Sequence, residues 1–389
     1  MSFHKTKFAL LESQAELDTF YRQHQDVSWL CFDTEFVGEK RFTTSLCLIQ
    51  VATPHGIYLV DPQRITNLEP FLRLIEDERI LKITHAGDND YRLLNTLFGV
   101  VPRHIFDTQI AAGFVGYKYP VSFRKLVESE LRISLDKGYA VTDWEARPFS
   151  AKQLQYALED VLPLHQLWEK LNAKLQKHNR AHWAAEEFTR MESPHFYYRD
   201  PHLEAIQHDM MKALNTREQV FLIRLLDWRR RTAETKNYSK EMILPGKLLG
   251  HIVRSISNGR EGLKHNRRLP EKLVHQHGAL FEQLYQADIT PAERHLIAQI
   301  PAEENDDPRE EILQEMLYLL VKYKCFEHGI SPGMVMARNG IRKIRNENES
   351  MLNGWRRELL GDGLIERLRN FDQLDIQVNG GIVELILKP

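Results

Sequence analysis

The chain has 389 residues, of which 42% are hydrophobic and 27% are charged, and its formal net charge is −2. This length exceeds that of one ordinary hydrophobic core, so we expect a soluble globular protein with two or three domains. No stretch approaches the ~20 apolar residues that span a bilayer, and the N-terminus lacks the apolar core of a signal peptide, so the sequence predicts neither membrane insertion nor export.

The N-terminal part predicts one helix followed by three strands. A capping box formed by Ser13 and Glu16 opens a helix that extends through His24. The next three segments are rich in β-formers, and the turn Pro54-His55-Gly56 separates the last two. We therefore expect an antiparallel meander of the strands Trp29–Phe36, Ser45–Thr53 and Gly56–Asp61.

Helices and strands alternate in the following segment. The spacing of the apolar residues between Leu68 and Ile75 predicts a helix, and Arg79–Ala86 reads as a buried strand. Tyr91–Phe98 is helical in pattern, and Asp107–Asn179 is mostly helical. Residues 1–190 are therefore predicted to form one α/β domain with a mixed β-sheet.

The second half of the chain is predicted to be almost entirely helical. Residues 191–205 contain prolines and no periodicity, which indicates a linker before a helical domain at 206–299. Residues 300–311 form an acidic linker to a last domain at 312–389. Near the end of this domain, Asn379-Gly380 between alternating apolar residues predicts a C-terminal β-hairpin.

Positive charge is concentrated in one segment of the helical half. Between Lys212 and Lys272 there are 15 Lys or Arg against 6 Asp or Glu, a local charge of +9 that leaves −11 on the remainder. This polarisation is typical of a polyanion-binding module beside a domain whose carboxylates bind cations. A solvated basic helix face explains the charge equally well.

The cysteines are few and far apart. Cys31, Cys47 and Cys325 are odd in number and form no CxxC pair. The sequence therefore predicts neither a disulfide framework nor a zinc site, and a reducing cytoplasm is the expected location.

Two acids occupy a strand that otherwise reads as buried. Asp33 and Glu35 are two residues apart, so their side chains project from the same face of the strand. Carboxylates held this close require a raised pKa, a cationic partner or a metal ion. An isolated pair of this kind is more often an exposed strand edge, so further acids are needed to indicate a site.

Further acids occur later in the chain. Asp88 and Asp90 stand at the start of a predicted helix, where either could be an N-cap. Tyr156 and Asp160 are four residues apart on another predicted helix and share one face.

In this order, Asp33-Thr34-Glu35, Asp90 and the Tyr156/Asp160 pair resemble the three motifs of DEDD exonucleases, in the subgroup with a tyrosine (DEDDy). The segments DTEF, LIQ, LVDP, HAGDND, FDTQIAA, TDWEARP and YALEDV also follow one another as in ribonuclease D, across roughly residues 28–165. The basic segment that begins FLIRLLDWRRR resembles an HRDC domain, a nucleic-acid-binding helical module, and ISPGMVMARNG resembles a second, more divergent copy.

The resemblance implies a ribonuclease H-like exonuclease domain followed by two all-α HRDC-type domains. It implies two Mg²⁺ or Mn²⁺ ions held by Asp33, Glu35, Asp90 and Asp160, with Tyr156 orienting the attacking water. The family spacing selects Asp90 over Asp88, and Asp107 is interpreted as a helix start. The terminal hairpin departs from the helical ending of the family.

Further residues are expected near the substrate by the same resemblance. For Lys137, Asp143, Trp144 and Arg147, substrate contact and loop anchoring are equally good interpretations. Phe36 and His85 complete the predicted substrate-binding set, whereas Trp228 and Trp355 are interpreted as core residues.

The resemblance predicts a metal-dependent 3′-to-5′ exoribonuclease that releases nucleoside 5′-monophosphates and trims the 3′ ends of tRNA precursors and other structured RNAs. We expect RNA as partner, no membrane and a monomer. The alternatives are a 3′-5′ DNA exonuclease and a non-catalytic RNA-binding scaffold.

Overall fold

The structure is a computed structural model that describes residues 6–135, 142–300, 308–337, 340–341, 352–369, 374–379 and 382–387. The chain packs into two units. The first unit contains Met1–Glu35, Leu46–Tyr197 and Asp306–Pro389, and the second contains Phe36–Ser45 and Tyr198–Asn305. Packing does not show which segments fold alone, so the domain boundaries remain predictions. No helix of the described residues is long and apolar enough to cross a membrane.

A six-stranded mixed sheet forms the centre of the first unit, as the sequence predicted. The strand order is β1-β4-β3-β2-β5-β6. β3 and β4 pair antiparallel, whereas β1 with β4, β2 with β5, and β5 with β6 pair in parallel. The strands are β1 Ala9–Leu11, β2 Trp29–Val37, β3 Ser45–Thr53, β4 Gly56–Val60, β5 Leu81–Thr84 and β6 Ile105–Asp107.

The structure corrects two element boundaries and adds two strands. The predicted strand Arg79–Ala86 is shorter in the structure, where β5 covers only Leu81–Thr84. Ala86 cannot extend the strand because its backbone is left-handed, with a φ of 56°. The following helix begins at Asp88 and not at Tyr91, so its first turn includes Asp90. The three-residue strands β1 and β6 were not predicted from the sequence.

Nine helices of the described residues follow or separate these strands. Phe32 on β2 packs edge-on against Tyr91 and Phe71, with ring centroids 5.4 and 6.1 Å away. The helices are α1 Gln14–His24, α2 Glu69–Glu76, α3 Asp88–Phe98, α4 Thr108–Phe114, α5 Phe123–Leu131, α6 Ala151–Val161, α7 Leu164–Lys177, α8 Ala181–Met191 and α9 Pro194–Tyr197.

The second unit is helical apart from the segment Phe36–Ser45. Its core includes Phe221, Leu225, Ile252 and Phe281, all nearly inaccessible, and Trp228 packs edge-on against Phe281 at 5.2 Å. Its helices are α10 Leu203–Ile206, α11 Thr216–Lys236, α12 Lys240–Ile243, α13 Gly246–Ser255, α14 Gly259–His265, α15 Glu271–Gln286 and α16 Pro291–Ile297, with 3₁₀ turns at Asp209–Ala213 and Ile256–Asn258.

A partly buried ion pair joins α11 to α16. Arg224 donates from Nε and Nη2 to the two carboxylate oxygens of Glu293, at 2.6 and 2.8 Å, and from Nη1 to the Leu284 carbonyl at 2.6 Å. The hydrogen bonds from Arg224 lower the pKa of Glu293 to about 2. The pair therefore stabilises the second unit as long as Glu293 is ionised.

We expect Arg224→Met to destabilise the second unit by about 2 kcal/mol at neutral pH, because a partly buried carboxylate loses its charged hydrogen bonds. The contribution of Glu293 is complete above its unfolded pKa of about 4.3 and disappears as the pH falls toward 2. The variant should therefore lose less stability on acidification than the wild type. Hydrogen exchange of α11 peptides across this pH range measures both effects.

Arg231→Met provides the control, because Arg231 lies on the same helix, is 73% exposed and forms an i,i+4 pair with Asp227. We expect it to cost less than about 1 kcal/mol. Equal destabilisation by the two substitutions would contradict the assignment.

The last helices pack into the core of the first unit. Trp355 is fully buried, as predicted, and donates from Nε1 to Glu187 at 2.8 Å; its ring lies 4.8 Å from that of Phe114. The helices are α17 Pro308–Glu327, α18 Pro332–Val335, α19 Trp355–Leu360 and α20 Asp362–Arg369. Two further strands, β7 Leu374–Asn379 and β8 Ile382–Leu387, pair antiparallel where the hairpin was predicted.

Candidate active site

Three carboxylates meet where β2 faces α6. Asp33 and Glu35 lie on β2, and Asp160 lies near the C-terminal end of α6. One oxygen from each carboxylate lies within 4.8 Å of the others. The period of the strand accounts for the first two side chains, and the helix supplies the third.

A fourth carboxylate joins this cluster from the first turn of α3. Asp90 is 6% exposed and raises the pKa of Asp33 and of Glu35, so it lies within electrostatic reach of both. Thr34 lies between the two acids of β2 and donates its hydroxyl to Asp90 Oδ1. Both faces of β2 therefore contribute to the site. One face carries the carboxylates of Asp33 and Glu35, and the other carries the Thr34 hydroxyl that holds Asp90 in place.

Helix α6 presents Tyr156 and Asp160 on one face, one turn apart. Ser150 caps this helix: its hydroxyl accepts from the Gln153 amide, and the Gln153 side chain accepts from the Ser150 amide. The phenol of Tyr156 is half-buried and hydrogen-bonds to Asp160. The cap fixes where the helix begins, which sets the position of both side chains.

Burial and mutual repulsion raise the pKa of every acid in the cluster. Burial is the main cause of the raised pKa of Glu35, about 8, and of Asp90 and Asp160, about 7 each. The pKa of Asp33 is raised well above its usual range by burial and then by Asp90, Asp160 and Glu35. Ionised carboxylates in this arrangement need a compensating positive charge.

The donor set fits a hard divalent cation. All ligand candidates are carboxylates, and Asp160 Oδ2 is buried with no hydrogen-bond partner. Mg²⁺ and Mn²⁺ prefer oxygen ligands, and a cation would satisfy this oxygen and offset the repulsion that raises the four pKa values.

Asp88 and Asp90, of which the family resemblance selected Asp90, have different surroundings. Asp90 lies in the cluster, whereas Asp88 is half-exposed and forms a 2.6 Å ion pair with Arg92. Asp107 caps α4, as interpreted, by accepting from the Gln109 and Ile110 amides at 2.8 and 3.0 Å. Its second oxygen accepts from the Gly87 amide at 2.8 Å, so it also holds the turn that precedes Asp90.

Arg147 lies in the loop before α6 and makes the contacts of an anchor. It forms a bidentate ion pair with Asp61, at 2.6 and 2.8 Å, and its other N–H groups donate to the carbonyls of Cys47, Trp144 and Ala146. All five guanidinium donors thus have acceptors within the protein. Asp143 is linked to α6, because the Gln153 side chain donates to its carbonyl at 3.0 Å.

The other residues predicted to bind substrate have different environments. Trp144 is 2% exposed, its ring lies 6.1 Å from that of Tyr156, and its indole N–H has no partner. His85 is half-buried, with its ring nitrogens 3.0 Å from Thr108 Oγ1 and 3.1 Å from the Val121 carbonyl. Phe36 is 41% exposed. Lys137 lies outside the described residues.

Sequence reasoning missed three supporting residues. The roles of Thr34 and Asp61 depend on partners 56 and 86 positions away, which a single sequence does not reveal. Glu159 is buried beside Asp160 and contributes to raising its pKa. The Ser150–Gln153 capping box was missed as well, although its S-x-x-Q spacing is a local signal in the sequence.

Known proteins resemble this chain in sequence and in fold. A family model described as 3′-5′ exonuclease matches residues 8–176. The solved structure of Escherichia coli RNase D, described as an exoribonuclease involved in structured RNA processing, superposes with a TM-score of 0.81 at 24% identity, covering 94% of this chain and 99% of that one. At this identity the superposition shows the fold.

Sequence comparison with curated relatives gives the family. Ribonuclease D of Nitrobacter hamburgensis is 28% identical, with 92% of this chain and 94% of the relative covered. Ribonuclease D of Bartonella henselae is 30% identical over 95% of this chain and 92% of its own length. With the acidic cluster in place and both chains matched almost end to end, the protein belongs to the ribonuclease D family of 3′-5′ exoribonucleases.

Proposed function

We propose that the protein releases nucleoside 5′-monophosphates from RNA 3′ ends and trims tRNA precursors and other structured RNAs. The observation that carries the proposal is the convergence of Asp33, Glu35, Asp90, Asp160 and Tyr156 from one strand and two helices. Four carboxylates suit cation-assisted hydrolysis, and the exonuclease motifs in this order support attack at a chain end.

In this proposal Asp33, Glu35 and Asp160 hold one divalent cation, and Asp33 with Asp90 holds a second. When bound, two such ions lower the pKa of a coordinated water and neutralise charge on the phosphate and the leaving oxygen. Mg²⁺ is the expected ion and Mn²⁺ a substitute.

The protein's own groups position the reactants. Burial and the neighbouring acids raise the pKa of Tyr156, so its phenol stays protonated at neutral pH and can orient the attacking water by a hydrogen bond. Thr34 restrains Asp90 through its hydroxyl. The Arg147–Asp61 pair fixes the loop that places Trp144 beside Tyr156. None of these side chains has to act as a strong base.

The decisive experiment uses a tRNA with a 3′ extension and matched single-stranded RNA and DNA oligonucleotides. We expect Mg²⁺-dependent release of 5′-monophosphates, shortening of the extension, and slower cleavage of DNA than of RNA. Faster cleavage of DNA would favour the DNA exonuclease alternative, and RNA binding without hydrolysis in Mg²⁺ or Mn²⁺ would favour the scaffold.

The basic segment of the second unit is the proposed RNA-binding surface. Arg254, Asn258, His265 and Asn266 are among the residues that line a cavity of about 450 Å³ between α13 and α14. The residues that follow this cavity, Arg267 and Arg268, are exposed. In contrast, Arg224 and Arg229 are directed inward to Glu293 and Glu241. Only part of the positive charge of the segment is therefore available to phosphates.

We expect the double substitution Arg267→Gln, Arg268→Gln to weaken RNA binding and to reduce the slope of log affinity against log salt by ~1.4–1.8, because two phosphate contacts are lost. The measurement uses full-length protein made inactive by Asp33→Asn. Arg22→Gln with Lys177→Gln, two exposed cations of the first unit, is the charge-matched control. An unchanged slope would show that Arg267 and Arg268 are solvated charges.

The predicted cytoplasmic location is supported by the cysteines. Cys31, Cys47 and Cys325 are all buried free thiols. Such thiols are compatible with a reducing compartment.

A further inference from the structure

Helix α17 is apolar on two faces. One face packs into the core of the first unit through Leu317, Val321 and Cys325, which are at most 2% exposed. Amphipathic surface helices normally have one apolar face, and the opposite face carries polar residues. The outer face of α17 breaks this rule.

Five large apolar side chains project from the outer face and form what we call the α17 stripe. Twelve large hydrophobic residues are exposed in the described part of the chain, and five of them lie on this single helix. Their spacing is four, three, four and three residues, the a/d repeat of a coiled-coil seam. They are Ile312, 59% exposed, Met316, 39%, Leu319, 62%, Tyr323, 62%, and Phe326, 80%.

We propose that the α17 stripe is a self-association surface that binds the same stripe of a second copy, with the two helices antiparallel. The repeat fits a helical partner with the same seam, because a and d side chains of one helix enter the spaces between those of another. Leu319 is the midpoint of the stripe, so a two-fold axis between the copies passes close to it. This proposal replaces the monomer expected from the sequence.

The charges on α17 set the antiparallel direction. In the sequence, its N-terminal half carries Arg309, Glu310, Glu311 and Glu315, a charge of −2, whereas its C-terminal half carries Lys322, Lys324 and Glu327, a charge of +1. An antiparallel pair places the acidic half of each helix against the basic half of the other, and Glu315 of one copy comes near Lys322 of the second.

The size of the stripe agrees with a dimer of moderate affinity. With roughly 200 Å² for a large side chain, the five exposures correspond to about 600 Å² of apolar surface per copy. A stable interface buries about 800 Å² per partner, and the polar rim of the helix supplies the difference. The inner face is already fixed in a core, so little conformational entropy is lost when the outer face pairs.

Cysteine cross-linking tests the axis directly. Leu319→Cys places one thiol per copy at the proposed two-fold axis, and the three native cysteines are buried, so background cross-linking is low. We expect mild oxidation to give a disulfide-linked dimer at least about tenfold faster than Met242→Cys, because thiols across an interface react at high effective concentration. Met242 is a 53% exposed residue of the second unit and is the matched control.

Charge reversal tests the direction of the helices. In sedimentation velocity across a dilution series, we expect the wild type to dimerise, and Lys322→Glu or Glu315→Lys alone to shift the midpoint to higher concentration. The double reversal should restore dimerisation. Leu319→Glu should abolish it while the melting temperature and the rate on single-stranded RNA stay unchanged, which shows that the variant is folded.

Three results would overturn the proposal. The first is a wild-type monomer throughout the series with equal cross-linking of the Leu319 and Met242 variants. The second is a monomer that dimerises only after deletion of residues 374–389, since the C-terminal hairpin would then be the occupant. The third is a dimer that survives Leu319→Glu.

Discussion

We expect Asp33→Asn to abolish RNA hydrolysis and, in EDTA, to raise the melting temperature. The activity should fall at least about 10³-fold, more than the 10- to 100-fold cost of losing an outer partner of a metal site, because Asp33 is assigned to both cations. The stability should rise because Asn is neutral at every pH, whereas folding must either ionise Asp33 among carboxylates that repel it or keep it protonated above its unfolded pKa. Inactivation by misfolding would lower the melting temperature instead.

The pH dependence of this stability has a definite sign. The folded-state pKa values of Glu35, Asp90 and Asp160, about 8, 7 and 7, lie above the unfolded values. Folding therefore favours the protonated acids, and stability in EDTA should fall as the pH rises from about 4 toward 8. Removing one acid should flatten this fall, and Mg²⁺ should restore more stability to the wild type than to the variant.

The control for Asp33→Asn is Asp26→Asn, the same change at an aspartate whose side chain is 84% exposed. It should leave the activity and the pH dependence of melting unaltered. Near-normal turnover by pure Asp33→Asn protein in Mg²⁺ would contradict the assignment of Asp33 to both cations.

The second large effect distinguishes the two functional side chains of α6. We expect Tyr156→Phe to lower kcat by about 10²–10³-fold with the Mg²⁺ requirement unchanged, because the phenol orients water and is not a ligand. Asp160→Asn should lower kcat and also raise the Mg²⁺ concentration for half-maximal activity at least about tenfold, because a ligand is lost. Activity is titrated against Mg²⁺ for both variants, and metal binding without RNA is measured by calorimetry.

Tyr198→Phe controls for the loss of a hydroxyl, since Tyr198 is 73% exposed. If Tyr156→Phe and Asp160→Asn shifted the Mg²⁺ requirement equally, the distinction between a positioning phenol and a ligand would be wrong.

Local patterns in the sequence were enough to predict four of the six strands and the acidic residues. The period of two on β2 places Asp33 and Glu35 together, and the i,i+4 spacing on α6 does the same for Tyr156 and Asp160. That these pairs meet Asp90 in one site came from the family resemblance, because no local pattern relates segments so far apart.

The features that the sequence did not predict depend on distant partners or on very short elements. β1 is three residues long, too short for a periodic signal, and it exists because its backbone pairs with β4. The choice between substrate contact and anchoring for Arg147 stayed open until its bidentate pair with Asp61 was located. The same holds for α17, whose apolar residues lie on two faces, so that the sequence does not show which face is covered.

The burial of Trp355 beside Phe114 and Glu187 has a consequence for biosynthesis. After Tyr197 the ribosome must still add more than two-fifths of the chain before α20 is complete at Arg369. At about 5–20 residues per second, the core of the catalytic unit stays incomplete for roughly 10–35 s after Tyr197 has been added. We therefore expect nascent chains to have no nuclease activity during this interval, which would protect the RNAs around a translating ribosome.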